Sequence, residues 1–121
     1  MINYSTGMTV AEERFQAYDT KEGGALETDG DLKTEITIDF ENDKCLGGIF
    51  RQVKGKAEIV WPATEHAFVL EGEVTIHHHE SGEKQTYKVG DGWIIDKGER
   101  VTWEVTTPTF RKSFFLSLAQ D

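Results

Sequence analysis

The sequence predicts an all-β barrel or sandwich, and three observations carry that reading. From Leu32 onward, short runs alternate apolar and polar residues with the two-residue period of a strand that has one buried face. Turn-forming pairs separate these runs at close intervals: Asn42-Asp43, Lys54-Gly55, Glu71-Gly72, Ser81-Gly82, Gly90-Asp91 and Lys97-Gly98. No long helical stretch lies between them, which disfavours a parallel βαβ sheet.

The elements follow in order. Thr9 with Glu12 fits a capping box, and Ala11, Phe15 and Tyr18 recur at helical spacing, so a short helix is expected within Thr9 to Asp19. Thr20 to Asp31 is rich in Gly, Glu, Asp and Thr and reads as a surface loop or extended arm. Glu35 to Phe40 alternates so that Ile36, Ile38 and Phe40 share an expected core face. Further strands are expected at Gly48 to Val53, Ala57 to Trp61, His66 to Leu70, Glu73 to His78, Lys84 to Val89, Gly92 to Asp96, Val101 to Thr106 and Arg111 to Leu118. The chain divides into an N-terminal arm, 1–31, and a β-domain, 32–121.

With 121 residues the chain suits one domain with one modest core, and 37% hydrophobic residues make it too apolar for a disordered chain. Acidic residues outnumber basic ones 22 to 13, for a net charge of −9, so its field repels phosphate backbones and anionic lipid surfaces. Neither nucleic acid nor membrane is an expected partner. Apolar runs such as Ala67 to Leu70 fall far short of the roughly 20 residues that span a bilayer. Met1 to Val10 has neither the basic start nor the apolar centre of a signal peptide, so a cytoplasmic location is expected. The single cysteine, Cys45, has no disulfide partner in the chain and reads as a small buried apolar residue.

Glu65-His66-Ala67-Phe68-Val69-Leu70-Glu71-Gly72-Glu73-Val74 resembles the first signature of the cupins, and Gly90-Asp91-Gly92-Trp93-Ile94-Ile95-Asp96-Lys97-Gly98 the second. Gly48-Ile49-Phe50, Trp61-Pro62, Thr102-Trp103-Glu104-Val105 and Arg111-Lys112 add a likeness to the ureidoglycine aminohydrolase-like cupins, from about Cys45 to Leu116. The resemblance implies a jelly-roll barrel of two antiparallel sheets and, as small cupins commonly pair, a homodimer. Independently of any family, Gly72 and Gly90 stand where strands reverse, where glycine reaches positive φ without steric cost. Asp91 is placed to accept from turn amides.

Metal-dependent cupins carry two histidines, a glutamate and a third histidine, a nitrogen and oxygen set suited to iron, manganese or nickel. Here Glu65 stands at the glutamate position, but the histidine positions fall at Ile59, Trp61 and Val101. A lone carboxylate among such residues cannot hold a transition metal in that manner. No metal site and no cofactor are therefore expected. Ureidoglycine aminohydrolase activity, which the resemblance ties to manganese, is not carried over.

Strand alternation places Glu65 on the interior face with Ala67 and Val69, where burial fits it for proton transfer, or else for an ion pair with Arg51 or Lys112. Trp61 and Trp103 have the parity to face inward, and either floor a ligand pocket or pack the core. His66 should face the opposite way. His77 and His79 share one strand face that could chelate an ion, but the run ends at a hairpin tip, and solvated histidines are the expected reading.

No P-loop, no GxGxxG after a strand and no GxSxG elbow is present. The sequence thus supports a small-molecule-processing or degenerate cupin with Glu65 as proton carrier and Trp61, Trp103, Arg51 and Lys112 around the ligand. The alternatives are a barrel that binds or senses a metabolite without transforming it, and a structural part of a larger assembly.

Overall fold

The computed structural model describes residues 1–21, 24–28 and 32–118, and these fold as a β-structure built on two long strands. The strands in chain order are β1 (Gln16–Ala17), β2 (Ala25–Thr28), β3 (Glu35–Ile36), β4 (Phe40–Glu41), β5 (Cys45–Val60), β6 (Thr64–Glu71), β7 (Glu73–His78), β8 (Lys84–Lys88), β9 (Gly92–Ile95) and β10 (Arg100–Ser117). All pairings are antiparallel.

β5 and β10 pair along nearly their whole length, from Cys45 opposite Ser117 to Val60 opposite Arg100. The first part of β10 also pairs with β7, and its second part with β6. Each long strand thus serves both of the expected antiparallel sheets, and β5 and β10 join them in one continuous ladder. β8 extends the β7 side and β9 the β6 side.

The merging of strands corrects the expected turn at Lys54-Gly55. Between Val105 and Thr109 the ladder with β5 shifts register, which accommodates Pro108, a residue with no N–H to donate. The chain bends there without leaving the sheet. Gly55 lies at the same corner of β5, where a Cβ would collide with the Leu32 side chain.

The other turns form where glycine allows them. Gly72 has φ of 77°, and a Cβ there would run into the Thr109 carbonyl oxygen. At Gly90-Asp91 the Asp91 carboxylate accepts from the Lys88 amide at 3.0 Å, while the Asp91 amide donates back to the Lys88 carbonyl.

Three expectations fail near the N-terminal side. Only one 3-10 turn, Glu12–Arg14, forms within Thr9 to Asp19, and no side-chain cap starts it, because β1 draws the following residues into a pairing with β3. The Ile36-Ile38-Phe40 face breaks, since Ile36 is buried but Ile38 and Phe40 are exposed. Thr37 turns inward instead, its hydroxyl accepting from the Ile49 amide, so the alternation changes phase between β3 and β4. Cys45 is half-buried rather than buried, being at the end of β5. Parts of the expected loop Thr20 to Asp31 lie outside the described residues, but Ala25–Thr28 within it joins β5 as β2.

The main core lies between the sheet faces and centres on Trp103, whose ring meets Phe110 at 5.5 Å, Trp61 at 5.7 Å, and Phe50 and Trp93 at 6.0 Å, between centroids. A second cluster of Val10, Ile49 and Leu70 seats the N-terminal segment outside the barrel. Among the described residues no helix is long and apolar enough to cross a membrane.

Candidate functional site

Glu65 on β6 and Lys112 on β10 meet inside the barrel. Leu116, four positions along β10, pairs with Glu65, and the two-residue period carries Lys112 to the same interior face. The Lys112 ammonium donates to Glu65 Oε2 at 2.9 Å and Oε1 at 3.1 Å, and both residues are only 4% exposed. Trp93 Nε1 on β9 adds a third bond to Glu65 Oε1 at 3.1 Å. Around the ammonium stand four ring centroids, those of Phe50 and Trp103 at 4.8 Å, Trp61 at 5.3 Å and Trp93 at 5.5 Å. Burial pushes the Lys112 ammonium below the usual lysine range, against the opposing pull of Glu65.

This pair borders a cavity of about 70 Å³ whose wall is mostly apolar. Phe50, Gln52, Trp61, Glu65, Trp103 and Lys112 line its interior; the half-buried Tyr18, Thr20 and Leu116 and exposed Pro62 form its rim. Gln52 was not singled out by its sequence, although its parity with Phe50 marks it as inward. Trp93 was missed as a partner of Glu65 for want of the β6–β9 register, Glu65 opposite Ile95 and Ala67 opposite Trp93. A larger groove of about 410 Å³ lies outside the barrel over Phe40, Phe68 and Phe115. Its polar lining is Tyr4, whose hydroxyl is already donated to Asp39, the exposed His66 and the half-buried Ser113, with no buried charged pair among the lining residues. The interior cavity is therefore the candidate site.

Arg51 does not reach it. Neighbouring Phe50 and Gln52 face in, so Arg51 faces out, where it pairs with Glu12 at 2.6 Å and Glu35 at 2.9 Å and lies 3.7 Å over the Phe15 ring. Its expected place beside the ligand is corrected: it fastens the N-terminal segment. His66 is exposed. His78 bonds Glu99 at 2.8 Å, and His79 meets Glu58 at 3.0 Å and the Thr102 hydroxyl at 2.8 Å.

The barrel and its sealed carboxylate define a cupin-type domain with a polar pair in an aromatic interior. The chain belongs to the EutQ-like cupin domain family, whose model matches residues 42–114. Among solved structures it is similar to the EutQ protein of Clostridium difficile, at 16% identity over 94% of this chain and 83% of that one, with a TM-score of 0.68. A putative ethanolamine utilization protein EutQ from Salmonella typhimurium has 22% identity over 73% and 72%, with a TM-score of 0.61. The polyketide cyclase RemF of Streptomyces resistomycificus has 22% identity over 93% and 80%, with a TM-score of 0.64. No curated protein matches.

The metal of many cupins does not fit these residues. Ile59 and Trp61 line the cavity where histidines would be needed, Val101 is fully buried, and among the described residues no three His, Cys, Asp or Glu side chains are grouped to hold an ion. The cation that Glu65 holds is the Lys112 ammonium.

Proposed function

We propose that this barrel processes a small organic molecule by proton transfer, with Glu65 as the proton carrier and Lys112 as the positive partner that stabilises developing negative charge. The supporting observation is the Lys112–Glu65 pair at 2.9 Å, buried beside an aromatic cavity. A structural ion pair alone gives little net stability in such a place, because desolvating two charges offsets their attraction. Beside a cavity the same low dielectric strengthens the pull of the Lys112 ammonium on negative charge that develops there, and Glu65 lines the same wall. Trp61 and Trp103 would shape the ligand's apolar part. The ureidoglycine aminohydrolase-like likeness adds a setting in nitrogen or carbon metabolism, and the acidic chain with one cysteine suits the cytoplasm.

The test is incubation of chelator-treated protein in D₂O with a panel of small carbon acids, followed by proton NMR. Hydrogen exchange or turnover by the wild type that persists with chelator and disappears in Glu65→Gln supports the reading. Equal rates in Glu65→Gln overturn it. Glu65→Asp, which keeps the charge but withdraws the carboxylate by one methylene, should be slowed while retaining the fold.

A second reading, a barrel that binds a metabolite without transforming it, is favoured by the way Glu65 and Lys112 satisfy each other. Saturable binding of a panel compound with no exchange in any of them would select it.

We further propose that two copies pair through the strip formed by Phe40, Phe68, Ile94 and Phe115, large apolar side chains that are 44% to 76% exposed on one outer face.

A further inference from the structure

Gln52 carries a buried donor with nothing to receive it. Its side chain is 3% exposed, and its amide orientation is set by Trp103, whose Nε1 can only donate and does so to Gln52 Oε1 at 3.0 Å. Gln52 Nε2 is therefore directed elsewhere, and among the described residues it has no hydrogen-bond partner. An unpaired buried donor is costly and uncommon, which calls for an acceptor from outside the chain.

The position of Gln52 says where that acceptor sits. Gln52 lies opposite Phe110, and Lys112 lies opposite Phe50, so the two are diagonal neighbours on β5 and β10, with both side chains lining the cavity. The ammonium has three N–H groups, of which two are engaged by Glu65. The cavity wall thus presents surplus donors at Gln52 and Lys112, with a single carboxylate, Glu65, beside the ammonium. Charge narrows the class of ligand. Lys112 and Glu65 cancel, so a second carboxylate would leave an uncompensated negative charge in an apolar chamber, whereas an uncharged carbonyl would not.

We infer that Gln52 Nε2 and Lys112 Nζ together bind the carbonyl oxygen of a small uncharged ketone or aldehyde, leaving its α-carbon to Glu65. The inference rests on the acid–base reading and gives it a substrate class. Glu65 takes the α-proton, the C–H electron pair becomes the enolate C=C bond, and the carbonyl π pair moves to the oxygen, where Gln52 and Lys112 stabilise it; return of the proton to carbon completes the exchange.

The probe is butanone, with butanoate and butan-2-ol for comparison. Binding is read from tryptophan fluorescence, since Trp61 and Trp103 line the cavity, and from the infrared C=O stretch of ¹³C-labelled ketone. Wild-type protein should bind butanone at least tenfold more tightly than either comparison compound and lower its C=O stretch. Gln52→Leu should weaken butanone binding about tenfold and remove part of that shift, and Gln52→Met should do the same should the leucine variant fail to fold. Absence of butanone binding by the wild type, preference for butanoate, or unchanged affinity in folded Gln52 variants overturns the inference. Exchange lost in Glu65→Gln while Gln52 variants bind normally would refute the carbonyl subsite alone. Exchange unaffected in Glu65→Gln would refute the acid–base reading alone.

Discussion

Lys112 holds its ammonium 2.9 Å from Glu65 Oε2 and within 5.5 Å of four aromatic ring centroids, so the barrel encloses a cation without a metal ligand set. A buried pair of this kind is expensive to break and cheap to replace.

That asymmetry separates a retained functional pair from a structural one. Glu65→Gln should destabilise the protein by about 3–5 kcal/mol, because Lys112 then stays buried without its counter-charge. Combining Glu65→Leu with Lys112→Met should be neutral or stabilising by about 1–4 kcal/mol while abolishing proton exchange. Urea unfolding of the three proteins checks this. A double variant as unstable as Glu65→Gln would show that the pair holds the fold together.

The sign of the lysine shift gives a pH dependence. The folded Lys112 value lies below the ordinary 10.5, so between the two the unfolded chain binds a proton that the native chain does not. Unfolding free energy should therefore rise with pH across that window, by at most about 1.4 kcal/mol per unit, and the contribution should be lost as pH falls through the folded value. Denaturant midpoints of wild type relative to the double variant, measured from neutral pH towards 10.5, should climb. A flat or falling difference would contradict the desolvated lysine.

Gly72→Ala should cost more than Gly82→Ala. Both glycines have positive φ, 77° and 75°, but only at Gly72 does a Cβ meet backbone, the Thr109 carbonyl. Strain alone should cost Gly82→Ala about 1 kcal/mol, and the collision should take Gly72→Ala to about 2–3 kcal/mol or more. Thermal unfolding of the two variants compares them.

Arg51→Ala should loosen the N-terminal segment around Phe15, since its partners are Glu12, Glu35 and the Phe15 ring, while the interior groups Gln52, Glu65, Trp103 and Lys112 keep their places. Hydrogen exchange should rise several-fold around Phe15, with any loss of ligand binding no greater than the loosening of the rim residues Tyr18 and Thr20 accounts for. Weakened binding with Tyr18 and Thr20 as protected from exchange as in the wild type would return Arg51 to the site.

Phe115→Glu places a charge in the exposed aromatic strip, 6.2 Å from Phe40 between ring centroids in the wild type. Light scattering should find a dimer in the wild type and a monomer in the variant. A wild-type monomer at all concentrations would remove the pairing.

Much of this was legible in the sequence. β7 begins and ends at the residues that alternation marks, Glu73 and His78, and the inward parity of Glu65, Trp61 and Trp103 follows from the same period. The long strands were not legible, because Gly55, which reads locally as a turn, is paired within β5, and the β5–β10 ladder resumes beyond the register shift that holds Pro108. The helix expected at Thr9 to Asp19 yields to a strand pairing with β3, a long-range contact that local periodicity cannot register. Arg51 and Gln52 show the limit most clearly: one-residue parity decides which is outside and which inside, and the charged residue drew attention from its inward neighbour.

The cation held by Glu65 belongs to the chain itself. Elemental analysis of untagged protein, purified without added metal and assayed for proton exchange before and after chelation, distinguishes that ammonium from a bound metal. Far less than one manganese, iron, nickel or zinc per chain is expected, with exchange untouched by chelator. One metal per chain, with exchange abolished on its removal and restored on its return, would mean that Glu65 serves a metal instead of Lys112.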